Sequence, residues 1–151
     1  DRLRVKKMLE KYLPLAEEVN IDVILESDMH PQALKQFLDN LDHPNLGINY
    51  DSGNSTWLGY DPNEEIPCYS SYIRNVHIKD CTPKDYSLPL GHGDTDFDSV
   101  FKQLVNYNYK GDFILQAARQ KNNVKAGKDY FLFTRKLINT WFHKTNKKAT
   151  I

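Results

Sequence analysis

Cysteine is scarce in this chain: Cys68 and Cys81 are the only two in 151 residues. Two thiols cannot staple a disulfide scaffold, and their spacing fits no zinc motif. They read as free thiols of a reducing compartment, so a cytoplasmic location is expected. An excess of charge is lacking too, with 20 Lys and Arg against 20 Asp and Glu and a formal net charge of +0. A balanced surface has no broad field to gather nucleic acid or anionic lipid, and neither is expected as a partner. No apolar run approaches the roughly 18 residues that span a membrane. No signal peptide is visible, and the chain starts at Asp1 without Met, so a trimmed N-terminus or a piece of a longer protein is expected. The basic cluster Lys144, Lys147 and Lys148 reads as a solvated, frayed end.

What is present suits a folded domain. The chain is 40% hydrophobic and 12% aromatic, enough to bury a core, and residues 1–151 have the length of a single domain. Residues 2–19 carry Leu3, Val5, Met8, Leu9, Tyr12, Leu13 and Leu15 at helical spacing, with Pro14 expected to bend or interrupt the helix. The run 21–26 is rich in β-formers and ends on Glu26. Pro31 opens a second helix to about Leu41. Residues 46–51 form a second strand that ends on Asp51, followed by turn chemistry in Ser52-Gly53-Asn54. Asp61-Pro62 reads as a helix cap and first turn, leading a third helix to about Tyr72. Residues 74–79 are a third strand, 80–96 a long loop, 97–107 a helix, 112–116 a fourth strand and 128–142 the closing helix. No short repeat, low-complexity tract or interdomain linker interrupts this order.

Strands alternating with helices at this spacing imply an α/β fold of four βα units with right-handed crossovers and parallel strands. Four units are half of a (β/α)8 TIM barrel. Standing alone, they would leave two sheet edges and an inner face open. Three arrangements satisfy the pattern: the C-terminal half of a full barrel, a half closed by a second copy, or a small open doubly wound domain. A leading helix without its own strand favours the first.

Glu26, Asp51, His77 and Gln116 fall at or near the C-terminal ends of successive strands, the end at which ligands bind in such folds. Two carboxylates and an imidazole converging there suit a divalent ion, with Mn, Mg, Co, Fe and Zn all compatible. Each residue also has a plainer explanation. Glu26 could be a solvated loop residue, Asp51 could make an Asx-turn with Ser52-Gly53-Asn54, and His77 could be a satisfied core histidine.

In order, the stretches Val23–Glu26, Asn49–Asn54, Val76–Asp80, Pro89–Phe97 and Tyr109–Gln116 resemble the second half of the sugar-phosphate isomerase/epimerase family with the xylose-isomerase-like barrel. The pattern is most similar to hexulose- or pentulose-phosphate 3-epimerases and covers about residues 10–118. In that family a Glu, an Asp, a His and a second Glu from the last four strands hold a divalent metal. By position, the resemblance makes Glu26, Asp51 and His77 metal ligands, with Gln116 in the fourth place. It implies a small sugar or sugar phosphate as substrate, with Asn54, Lys79, Gly91 and Gly93 as substrate-side residues. Lys79 and Arg119 are candidates for anion contacts. Endonuclease-type relatives share the barrel but need further His and Asp ligands, and there is neither an Asp-x-His after His77 nor a basic stripe.

The chemistry explains the residue types. Moving a proton on the carbon next to a carbonyl requires stabilising an enediolate, which a Lewis-acid metal can do. It also requires a carboxylate to take and return the proton. For 3-epimerisation the family sets one Glu on each face of the carbon; Glu26 and the residue at 116 would be that catalytic pair. Gln116 keeps the shape and a ligating oxygen but cannot exchange a proton. The resemblance therefore implies either a metal-dependent isomerase or epimerase, or a catalytically impaired relative that binds a sugar or metal without turnover. One-base chemistry by Glu26, or a second proton supplied by Lys79 or His92, would reconcile Gln116 with activity.

Overall fold

A computed structural model describes residues 2–145, with only the backbone path for 143–145. The order is α1 (Arg2–Glu18), β1 (Val23–Leu25), α2 (Pro31–Asp39), β2 (Leu46–Asp51), α3 (Ser52–Leu58), α4 (Pro62–Tyr69), a short 3-10 turn (Ser70–Tyr72), β3 (Ile73–Ile78), α5 (Phe97–Asn106), β4 (Asp112–Leu115) and α6 (Asn123–Thr145). The four strands form one sheet in the order β1-β2-β3-β4, and every neighbouring pair is parallel. The fold is the α/β half-barrel pattern expected from the alternation of strands and helices. Lys147 and Lys148 lie outside the described residues, as does the Lys144 side chain.

One face of the sheet carries the core. Leu46, Ile48 and Tyr50 of β2 alternate with inward polar residues, and with Val76 and Ile78 of β3 they are buried against the helices. Leu34 and Leu38 sit one helical turn apart on α2 and are buried on that side, as are Val100, Phe101 and Leu104 of α5. Phe113 of β4 stacks on Phe101, with centroids 5.1 Å apart and planes at 10°, and meets Phe142 of α6 edge-on at 5.8 Å. Only Leu9 and Leu13 of α1 are buried, while Leu3, Met8 and Leu15 stand exposed.

Three local expectations are corrected. Ser52-Gly53-Asn54 is not a turn but the first turn of α3. The Asp51 carboxylate caps it by accepting from the Asn54 N–H at 2.8 Å, and Gly59, at φ 74°, ends it in the left-handed conformation. Second, α1 is not interrupted at Pro14 but runs through it. That residue is on the exposed side, where the carbonyl it leaves unpaired can meet water. Third, α6 begins at Asn123, earlier than Lys128. Asn122 accepts from the Lys125 N–H at 3.0 Å, and Gly127 is accommodated inside the helix.

Candidate metal centre

Register brings the polar strand ends together. A shift between Ile48 and Asn49 pairs Asn49 with Asn75 and Asp51 with His77. Because side chains alternate along a strand, all four face the same side. Leu25 pairs with Ile48, so Glu26 follows at the level of Asn49. One ligating atom from each of Glu26, Asp51 and His77 lies within 4.8 Å of the others. His77 Nδ1 is 3.5 Å from Glu26 Oε2 and 3.6 Å from Asp51 Oδ2.

The hydrogen bonds around the triad leave specific atoms over. Asp51 Oδ1 is occupied by the α3 cap, whereas Oδ2 is buried without a partner. His77 Nδ1 is likewise buried and unpartnered. Buried polar atoms in folded proteins are nearly always paired, so two orphans aimed at one point mark a place for a further group. The Asx-type cap and a metal-ligand role for Asp51 are compatible, since they use different oxygens. Burial pushes the Asp51 carboxyl above its usual range, and the Asn54 N–H and the Lys79 charge oppose that rise. A hard carboxylate pair plus one imidazole fits a divalent cation, so Glu26, Asp51 and His77 could hold one.

Glu26 is held from both sides. Asn49 Nδ2 donates to Oε2 and Asn54 Nδ2 to Oε1, each at 2.8 Å. The Asn54 carbonyl in turn accepts from Lys79 Nζ at 2.8 Å and from the Tyr86 hydroxyl at 2.6 Å. Lys79 is buried, with its ammonium 3.3 Å from the Tyr86 ring centroid. Two features seat this lysine. Ser52 Oγ donates to the Lys79 carbonyl at 2.7 Å and accepts from its N–H at 3.0 Å, clipping α3 to the end of β3. Gly53 leaves room for the lysine stem, because a Cβ there would come within 2.5 Å of Lys79 Cγ.

Gln116 lies one residue past β4, exposed, and its N–H extends the ladder to the Ile78 carbonyl at 3.1 Å. Gly91 and Gly93 wrap the buried Asp80 carboxylate. Asp80 Oδ2 accepts from the N–H groups of Gly91, His92 and Gly93 at 2.8, 3.1 and 2.9 Å, and Oδ1 accepts from Thr95 at 3.2 Å. A Cβ at Gly93 would overlap that carboxylate. The glycines thus answer an internal need of the 80–96 loop. His92 and Arg119 are exposed. Sequence reasoning missed Asn49 and Tyr86; stepping two residues back from Asp51 along β2 would have found the asparagine.

The family model described as "Xylose isomerase-like TIM barrel" matches residues 1–136. The chain belongs to the xylose isomerase-like TIM barrel family. Among relatives, it is 26% identical to an inosose dehydratase of Clostridium perfringens over 91% of this chain and 53% of that protein. It is 25% identical to an L-ribulose-5-phosphate 3-epimerase of Salmonella paratyphi A over 76% of this chain and 43% of that one. Among solved structures, an L-ribulose 3-epimerase superposes with TM-score 0.81 at 16% identity over 97% of this chain and 57% of its own. A 3-keto-D-glucoside 4-epimerase from E. coli gives 0.76 at 20% over 90% and 54%. The two structures establish likeness of fold. The chain spans about half the length of the curated relatives it matches. Among the described residues, no helix is long and apolar enough to cross a membrane.

Proposed function

We propose that this chain forms the C-terminal half of a metal-dependent barrel that moves a proton next to the carbonyl of a sugar or sugar phosphate, as an isomerase or epimerase. The observation that carries the reading is the convergence of Glu26, Asp51 and His77, with Asp51 Oδ2 and His77 Nδ1 buried and unpartnered. A divalent ion there would supply Lewis acidity to the substrate's oxygens. Glu26 is the proton carrier, and Asn49 and Asn54, each donating to one of its oxygens, fix the orientation of its carboxylate. Lys79, acting through Asn54, places a positive charge behind this acidic cluster. Relatives named as an inosose dehydratase and an L-ribulose-5-phosphate 3-epimerase support carbohydrate chemistry here.

Gln116 favours a second reading, a relative that binds metal or sugar with impaired turnover. An amide at that position cannot take or return a proton, and 3-epimerisation needs a base on each face of the carbon. The rest of the barrel, supplied upstream or by a second copy, would cover the open edges of β1 and β4 and the exposed side of α1. A half barrel left alone should self-associate, and a stable compact monomer in light scattering contradicts this.

Metal content of the full-length protein decides the site: equal content in wild type and Asp51→Ala refutes it. The reaction is tested by assaying L-ribulose 5-phosphate epimerisation in wild type and Gln116→Glu. Turnover in wild type supports the enzyme, whereas turnover in the revertant alone supports the impaired relative.

A further inference from the structure

Two exposed aromatic rings stand beside the triad, and neither has yet been given a contact with substrate. Trp57 lies one turn after Asn54 on α3, and Tyr86 lies in the loop between β3 and α5. Their centroids are 5.4 Å apart and their planes meet at 85°. Trp57 is 40% and Tyr86 52% exposed. Yet Tyr86 is pinned: its hydroxyl donates to Asn54 Oδ1 at 2.6 Å, and its ring covers the Lys79 ammonium. The same Asn54 donates to Glu26 Oε1. One asparagine therefore ties the aromatic pair to the residue that carries the proton.

Apolar surface held in water costs about 25 cal/mol per Å² relative to the same surface covered. A pinned and open ring pair next to a polar site is complementary to a molecule with an apolar face and a polar rim. A sugar is such a molecule, because its C–H bonds can pack on rings while its hydroxyls meet amides and ammonium groups. Lys79 occupies one face of Tyr86, so Trp57 offers the freer surface.

We propose that Trp57 and Tyr86 form an aromatic wall that packs on the C–H face of the sugar and helps select which sugars reach Glu26. This rests on the sugar reading above. The test uses full-length, metal-loaded protein, calorimetric titration with L-ribulose, D-tagatose and D-fructose, and metal content of every variant. Trp57→Ala is expected to weaken the best-bound sugar about ten-fold or more at unchanged metal content, with Tyr86→Ala acting in the same direction. Trp57→Phe, which keeps a ring, should recover most of the loss, separating contact from misfolding. Wild-type affinity in both alanine variants overturns the wall and leaves the proposed reaction standing. Failure of metal-loaded wild type to bind any of the three sugars, or L-ribulose 5-phosphate titrated in the same way, overturns both.

Discussion

Glu65 offers a test of the scaffold beneath the site that is independent of any metal. It sits on α4, 6% exposed, accepting from the Tyr69 hydroxyl at 2.5 Å and from the Ser55 hydroxyl. Ser55 belongs to α3, so this carboxyl joins the two helices behind the triad. Burial pushes its pKa up from 4.5, only partly opposed by the two hydroxyls. A carboxyl whose folded pKa is raised favours the folded state when protonated. Its contribution is therefore complete below about pH 4.5, falls as pH rises from there through the folded value, and is constant above it. Each unit of upward shift removes about 1.4 kcal/mol across that window. Glu65→Gln keeps the shape and one carbonyl acceptor but does not titrate. Subtracting its chemical-denaturation stability from wild type at each pH, with chelator present, cancels every other group. The difference should move in favour of Gln as pH rises from 4 to 8. Glu65→Ala should lose about 2–4 kcal/mol near pH 4, a loss that shrinks as pH rises because only wild type titrates; the buried Tyr69 and Ser55 hydroxyls would lose their carboxyl acceptor. Parallel pH curves for wild type and Glu65→Gln would refute the assignment of a burial-raised carboxyl.

Asp51→Asn should keep metal-free stability within about 0.5 kcal/mol, since Asn caps a helix as well as Asp does, while metal uptake falls; Asp51→Ala should also lose about 1 kcal/mol in the metal-free protein. Thermal melting with and without chelator, read beside metal content, separates the two effects. Asp80→Asn replaces an acceptor of several N–H groups with a side chain that itself donates. Limited proteolysis is expected to cut within residues 80–96 several-fold faster than in wild type, and an unchanged rate would show that the loop does not depend on this carboxylate. A saturating divalent ion at about 100 times its Kd should raise unfolding free energy by about 2.7 kcal/mol in wild type but not in His77→Ala, checked by denaturant titration.

The parallel sheet and the triad were legible in the sequence for one reason: apolar strand runs stop on Glu26, Asp51 and a polar His77-Ile78-Lys79. Strand direction then sends those ends to one side. The α3 helix was not legible, because Ser-Gly-Asn-Ser is poor helix composition. It forms through contacts distant in sequence, the Ser52 bonds to the end of β3 and the Thr56 hydroxyl to Thr95 Oγ1 at 3.1 Å. Nor could the pattern 91–93 reveal what its glycines enclose. That depends on the Asp80 side chain, about ten residues earlier, turning inward. The support of Glu26 by Asn49 was hidden for a similar reason, since it requires knowing that β1 pairs beside β2.

The divided use of the two Asp51 oxygens has a consequence for tracing descent among relatives of this chain. A lineage that abandoned catalysis would still be selected to keep an aspartate or asparagine there, simply to begin α3 after β2. Persistence of that acid is therefore weak testimony to an ancestral reaction. His77 begins no helix, and its Nδ1 is unpartnered in the scaffold. Once an ion is no longer bound, that nitrogen keeps no hydrogen bond and only the Glu26 and Asp51 carboxylates near it, at 3.5 and 3.6 Å. Loss of the histidine, ahead of loss of either acid, is the substitution that would date the silencing of a branch.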